Sequence, residues 1–282
     1  GKPFLKKIKK NQAIKIYTGA YILRNITRVN TVCMEEDCYS DGKKVRITKK
    51  FKTGNNIRIK GEDVKKKQRI FFSGRKIRSM DLAQLSSIGV KKVKVFKKIR
   101  VGIFSSGDEL CEFPKKKSKY EIYDANKLVL VSLFKKIGCE VNDLGIIKDS
   151  YSETKKLILN KIKSLDVIIT SGGISKSKTD KIGKFFESNA QIKFWRLSIK
   201  PGRPFAFGKI KNTAFIGLPG NPVAAIITFF MLVIDYIKVL SGLKEKQIIE
   251  RMLPCDFEMK KRKGRTEWLR GMIIKKKNLY FL

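Results

Sequence analysis

Apolar and polar residues alternate with period two in three short runs near the start of the chain, Ala13–Tyr17, Lys44–Thr48 and Asn56–Lys60. Half-buried β-strands show that period, because successive side chains point to opposite faces. Turn residues cut the runs apart, so residues 1–64 read as a small β-rich module. A helical pattern follows at Ser79–Ile88 and stops at Gly89, the residue type favoured just past a helix end. Residues 65–96 read as a connector.

From residue 97 to 243 the pattern changes. Strand-like runs at Arg100–Phe104, Cys139–Ile147, Val167–Thr170 and Ile192–Leu197 alternate with helical stretches at Asn126–Ile137, Ser152–Ser164, Lys181–Phe186 and Pro222–Leu240. Strand-helix alternation predicts a parallel α/β sheet. Ser150 with Glu153 has capping-box spacing, Asn221-Pro222 is an N-cap followed by an N1 proline, and Gly242 follows the last helix. Phe205–Gly208 and Ala214–Gly217, separated by Lys211-Asn212, predict a hairpin before that helix. The basic stretch Lys244–Leu282 looks β-like. No internal repeat and no long low-complexity tract is visible.

Composition narrows the chemistry. The 282 residues leave room for about two domains. Lys and Arg number 64 against 25 Asp and Glu, a net charge of +39 that suggests an anionic partner: phosphate, oxyanion, nucleic acid or acidic lipid. The lysines are spread through every segment, and the chain is also rich in Ile and Asn. Compositional drift therefore explains the charge better than a nucleic-acid groove, and no specific nucleic-acid partner is expected. There is no histidine, which excludes a Ser-His-Asp triad, an HExxH zinc site and any imidazole base. Five scattered cysteines fit neither a zinc ribbon nor a disulfide framework, and a reducing cytoplasmic setting is expected. The apolar run Pro222–Ile234 is shorter than the ~20 residues of a membrane helix, so it reads as a buried helix and no membrane partner is expected. The chain begins at Gly1 rather than Met, and its true start is expected to lie upstream.

In an open parallel sheet, ligands bind beyond the carboxyl ends of the strands. The loops at those ends are Ser105–Glu109, the turn at Asp149, Ser171–Ser175 reaching on to Asp180, and Leu218–Pro222. Glycines in such loops let backbone N–H groups face an anion. Ser171-Gly172-Gly173 also has a plain reading as a tight turn, and Lys200-Pro-Gly-Arg-Pro204 reads either as a Pro-Gly turn or as an anion clamp. Glu109, Asp149 and Asp180 would be hard oxygen ligands for Mg²⁺, each with a structural competitor as a helix-start residue or a solvated loop carboxylate. Neither a Walker A sequence nor GxGxxG occurs.

Several segments, in order along the chain, are similar to one family, the MoeA/gephyrin-type molybdopterin molybdenumtransferases. Ile14-Lys-Ile-Tyr-Thr-Gly-Ala20 resembles the family's IRIMTGAP, Gly61-Glu-Asp63 its GED, Ser106-Gly-Asp-Glu-Leu110 its STGDEL and Ile122-Tyr-Asp-Ala-Asn126 its IYDTN. Ser171-Gly-Gly-Ile-Ser175 with Asp180 resembles SGGVSxGxxD, and Lys200–Pro204, Leu218–Pro222 and Gly264–Gly271 resemble KPGKP, LPGNP and GRxxxxRG. The sequence departs from the family at Lys176-Ser177-Lys178, where small residues and a glycine are usual, and at Tyr21, where proline is usual.

The resemblance implies an α/β architecture: a central parallel-sheet molybdopterin-binding domain at 97–243, flanked by the β-rich module 1–64, a connector 65–96 belonging partly to a dimerisation domain, and a partial C-terminal β domain at 244–282. It implies insertion of molybdate into adenylylated molybdopterin with release of AMP, a pterin nucleotide partner and a homodimer. Catalytic roles would fall to Thr18, Asp63, Asp180 and Lys200, and Mg²⁺ to Glu109, Asp149 and Asp180. The nucleotide would lie against Ser106, Gly107, Asp108, Ser171, Gly172, Gly173, Ser175, Arg196, Pro219, Gly220, Asn221 and Pro222. The family's N-terminal acidic segment has no counterpart and its C-terminal domain breaks off early, so a fragment that binds without turning over is also expected. Rival readings are the related adenylyl transfer reaction and a non-catalytic basic scaffold.

Overall fold

Six of the seven residues Arg100–Ser106 are buried, as are all five of Val167–Ser171 and all six of Thr213–Leu218. Runs without a wet face belong to strands covered by helices on both sides. The computed structural model describes residues 2–175, 180–244, 252–261, 263–276 and 279–281. It divides into two units, Gly1–Phe71 and Phe72–Leu282.

The first unit contains one α-helical turn, α1 (Arg24–Thr27), a 3-10 turn at Glu35–Asp37, and a two-stranded antiparallel ladder of β1 (Cys38–Ser40) and β2 (Val45–Ile47). Only one of the three alternating runs expected to be strands is therefore a strand. Ile14 and Ile16 are half-buried with exposed neighbours, as the alternation requires, but no strand pairs with them. The run at Asn56–Lys60 opens in a turn, with Gly54 at φ +92° and Asn56 at φ +58°, which ends any ladder before it starts.

The second unit opens with α2 (Ser79–Ser87), closed by Gly89 at φ +74°. Its core follows as β3 (Arg100–Ser106), β4 (Leu110–Cys111), β5 (Ile122–Tyr123), α3 (Ala125–Lys136), β6 (Glu140–Ile147), α4 (Tyr151–Lys161), β7 (Val167–Ser171), α5 (Lys181–Asn189), β8 (Gln191–Trp195), β9 (Ile199–Lys200), β10 (Ala206–Ile210), β11 (Thr213–Leu218), α6 (Pro222–Thr228), a π-turn at Phe229–Val233 and α7 (Ile234–Leu240). Then come β12 (Thr266–Glu267), which pairs with β9, and β13 (Ile274–Lys276), which pairs antiparallel with β14 (Leu279–Phe281). The main sheet has the order β6-β3-β7-β11-β10-β8. Neighbours from β6 to β11 are parallel, and β10 alone runs the other way, between β11 and β8. The hairpin expected around Lys211-Asn212 is β10-β11, and its second strand lies in the middle of the sheet.

Alternate residues serve the two faces. Val101, Ile103, Val167, Ile169, Ala214 and Ile216 face α3 and the α6–α7 helix through Leu130, Phe134, Ala225, Phe229 and Val233. Phe104, Ile168 and Phe215 face α4 and α5 through Ile158, Ile182 and Phe186. This is a three-layer α/β/α core. The helical stretch Pro222–Leu240 is 19 residues long and its most apolar 18 residues have a mean hydropathy of 2.2, so by length and composition alone it could cross a membrane. The π-turn joins α6 to α7, and the stretch has the bounds that the sequence pattern predicts, Pro222–Leu240, and so exceeds the apolar run Pro222–Ile234 within it. Here it packs one face on the sheet.

Asp166 ties β7 to the start of β3. It accepts from the Arg100 backbone N–H at 2.8 Å and from the Arg100 guanidinium at 3.2 and 2.9 Å. Those Arg100 hydrogen bonds outweigh partial burial and hold the carboxyl below its ordinary pKa. A lowered folded pKa means the stabilisation is full above the unfolded value of about 4 and is lost as pH falls through the folded value. Asp166→Asn is expected to cost about 1–2 kcal/mol at neutral pH. Urea unfolding should show that difference shrinking on acidification.

Candidate functional site

Register brings the loops together. Ser106 pairs with Ile147, Ser105 with Ser171 and Ser171 with Leu218, so four parallel strands end on one line. β8 ends on the same side, with Trp195 and Gly217 both opposite Ala206. Beyond this edge lies a cleft of about 350 Å³ lined by Ser106, Gly107, Glu109, Asp124, Asn126, Asp149, Ser171–Ser175, Asp180, Pro204, Gly220 and Pro222.

The glycine turn after β7 is held from several sides. Gly172 N–H donates to Leu218 O at 3.1 Å. Trp195 Nε1 donates to Ile174 O at 2.9 Å and Arg196 Nη2 to Ser175 O at 2.6 Å. Gly172 sits at φ +89°, and a Cβ there would lie 2.7 Å from the Ser106 carbonyl oxygen. Gly172→Ala is therefore both strained and sterically blocked. It is expected to cost about 1–3 kcal/mol, to be read as a lowered unfolding temperature together with loss of ligand binding in the cleft.

The carboxylates crowd one another. Burial first, then the charges of Asp108, Glu109 and Asp180, push the Asp149 carboxyl up, while Lys181 opposes them. Asp180 is buried and caps α5, its Oδ1 accepting from Gly183 N–H at 2.6 Å; Ser175 Oγ lies 3.5 Å from its Oδ2. Among the described residues no group of three or more His, Cys, Asp or Glu side chains is close enough to hold a metal ion by itself. One or two of these carboxylates, with water in the remaining positions, would be the kind of donor set through which Mg²⁺ is usually held.

The other residues singled out from sequence have varied placements. Asp108 is exposed and does not line the cleft; its Oδ1 accepts from Asp149 N–H at 3.1 Å, which links the first two acidic loops. Pro219 is buried beneath the rim, and Asn221 uses its side chain to cap α6 through Ala224 N–H. Arg196 is exposed at φ +69°. Lys200 lines a second cavity of about 460 Å³ with Val223, Phe257, Trp268 and Arg270, and its Nζ lies 3.4 Å from Glu267. Thr18 and Asp63 belong to the Gly1–Phe71 unit, where Thr18 is in an exposed turn and Asp63 pairs with Arg58 at 2.5 Å. Lys176-Ser177-Lys178 lies outside the described residues.

Two lining residues, Asp124 and Asn126, were absent from the expected site set although they lie in the Ile122–Asn126 motif. The spacing of Asp124 to Lys127 is that of a helix cap, which hides any second role. Lys127 itself is buried. Burial lowers its pKa, but ion pairs with Glu112 and with Asp143 at 3.2 Å outweigh this and raise it. It thereby fastens the loop after β4 to β6.

A parallel α/β core with an acidic, glycine-walled cleft at its carboxyl edge defines the class of open α/β domains that bind their ligands at that edge. Residues 102–239 match a family described as a probable molybdopterin binding domain, and residues 1–89 match the MoeA N-terminal region (domain I and II). A molybdopterin molybdenumtransferase of Haemophilus influenzae is 36% identical over 96% of this chain and 67% of its own length. A gephyrin of Dictyostelium discoideum is 30% identical over 86% of this chain and 38% of its own. The crystal structure of a molybdopterin biosynthesis moeA protein from Pyrococcus horikoshii OT3 matches with a TM-score of 0.78 at 26% identity, covering all of this chain and 68% of that one. The chain belongs to the MoeA/gephyrin-type molybdopterin molybdenumtransferase family. It spans about one third to two thirds of the length of these relatives.

Proposed function

We propose that this chain binds adenylylated molybdopterin and carries the molybdate insertion step of molybdenum cofactor biosynthesis. The observation that supports it most is the convergence of Glu109, Asp149, Asp180 and the Ser171–Ser175 turn on one cleft, in a chain of this family. In this reading the backbone N–H of Gly173 and the cation of Arg196 orient the phosphates, while Gly172 N–H holds the turn to Leu218 O. A water oxygen attacks the adenylate phosphorus and the bond from that phosphorus to the bridging oxygen breaks, so that AMP leaves and the bridging oxygen stays on the molybdopterin phosphate. Molybdate then binds the two dithiolene sulfurs, one of its oxygens leaving as water with the two thiol protons. Mg²⁺, when held by Asp149, Asp180 or Glu109, would supply positive charge between carboxylate and phosphate. Lys200 would neutralise oxyanion charge from the neighbouring cavity, and catalytic roles for Thr18 and Asp63 belong to the same proposal. A cytoplasmic homodimer belongs to the same proposal.

The test is to incubate the purified chain with adenylylated molybdopterin, MgCl₂ and molybdate and to follow AMP by chromatography. Molybdate-dependent AMP release is expected. Failure both to release AMP and to bind the nucleotide would overturn the proposal, and binding without release would confine this chain to the binding step.

A further inference from the structure

Three side chains lining the cleft carry polar atoms without a partner among the described residues. Ser106 is 5% exposed, and its Oγ lies over the glycine turn, 2.5 Å from where a Cβ on Gly173 would stand. Asp124 uses Oδ1 to accept from Lys127 N–H at 3.1 Å as the cap of α3, leaving Oδ2 buried and unbonded. Asn126 donates its amide N–H₂ to Gly220 O at 2.7 Å and to Ser171 Oγ at 2.8 Å. A backbone carbonyl can only accept, so that contact fixes the amide orientation and leaves Asn126 Oδ1 without a donor. A buried acceptor left unsatisfied weakens a fold, and its persistence calls for a partner that arrives from outside.

Two acceptors beside a hydroxyl fit a ligand edge that offers two N–H donors next to a carbonyl. The 2-amino-4-oxopyrimidine half of a pterin has this edge: an exocyclic amino group, a ring N–H and a carbonyl oxygen. Adenine presents one amino group beside ring acceptors, which would face oxygen with lone pairs. Phosphate presents acceptors and negative charge, which the Asp124 carboxylate opposes. We propose that Asp124 Oδ2 and Asn126 Oδ1 accept from the amino and ring N–H groups of a pterin while the Ser106 hydroxyl donates to its carbonyl. The proposal rests on the molybdopterin reading above and names the part of the substrate that this corner of the cleft takes. Asp124, Asn126 and Ser106 are then specificity-determining residues, and the acidic rim is left to the phosphate end.

The experiment compares pterin with lumazine, the 2,4-dioxo analogue that replaces the amino donor by an acceptor, in fluorescence titrations of the 282-residue chain. Pterin is expected to bind about tenfold tighter or more. Asp124→Asn preserves the helix cap, since Asn caps as well as Asp, but turns an N–H₂ donor toward the position of Oδ2. The pterin-to-lumazine preference should fall by about tenfold or reverse, with the unfolding temperature unchanged. A merely structural role would weaken both ligands alike. An equal affinity of the wild-type chain for the two, or a preference that Asp124→Asn leaves unaltered, overturns the proposal. So does calorimetric binding of MgCl₂ alone that Asp124→Asn removes, which would assign these oxygens to a cation, and so does capture of guanosine monophosphate with no affinity for pterin. AMP release with an unaltered pterin-to-lumazine ratio would remove this assignment and leave the proposed function standing, whereas a wild-type chain that binds no adenylylated molybdopterin removes both.

Discussion

Asp180→Asn is expected to reduce AMP release by roughly 10²–10⁴-fold while leaving the fold as stable as before. Asp180 has two structural roles in one carboxylate. Oδ1 closes the first turn of α5 by accepting from Gly183 N–H at 2.6 Å, and Oδ2 faces Ser175 at the rim of the cleft. An asparagine oxygen replaces the first contact and cancels the charge that the second side presents. Asp180→Ala removes both, and so adds a loss of about 1 kcal/mol from the missing cap to the same loss of turnover. Calorimetric unfolding and AMP release, measured on both variants, separate the two roles. If Asp180→Asn turns over at the wild-type rate, the carboxylate is a cap and nothing more, and the proposed chemistry has lost its central acid.

Much of this arrangement was legible in the sequence because it is locally encoded. Strands buried on both faces announce themselves as continuous apolar runs, and Asn221-Pro222, Gly89 and Gly242 mark helix ends through backbone chemistry that needs no distant partner. Loops at strand ends were correspondingly easy to place on one rim. What escaped reading depends on contacts far apart in the chain. Ile14 and Ile16 alternate as a strand should, but a ladder exists only when another segment pairs with it. The β10-β11 hairpin was legible from its turn, but the insertion of β11 beside β7 and of β10 beside β8 is set by sheet order, which local periodicity does not contain. Within the site, a caps-or-ligand ambiguity attaches to every Asp near a helix start. Only the geometry shows that Asp180 and Asp124 each use one oxygen on a helix and that Asn126 has both amide hydrogens engaged. Lys200 lies four residues before Pro204 in one motif, yet the structure puts the two on different cavities.

Asp149→Asn is expected to make the chain more stable and far less active. Burial and the neighbouring charges of Asp108, Glu109 and Asp180 raise the Asp149 carboxyl above its ordinary value. A raised folded pKa means that the folded chain holds this proton more tightly than the unfolded chain does. The favourable contribution is present below the unfolded pKa of about 4, and it turns into a cost as pH rises through the folded value. At neutral pH the ionised group therefore opposes folding. Replacement by the neutral isostere relieves that repulsion and leaves the contact to Asp108 intact, because that contact is made by the Asp149 backbone N–H. Partial exposure and screening hold the gain to under about 1 kcal/mol, or a few degrees in unfolding temperature, in magnesium-free buffer. Turnover should fall by about 10²-fold or more, since in the proposed function the same crowded carboxylates would hold a cation against phosphate. Stability gained where activity is lost is the signature of a site kept at the expense of the fold around it. A variant that unfolds at a lower temperature than the wild type would show instead that Asp149 is a structural member of the β6 turn, and the like-charge account of the cleft would fail with it.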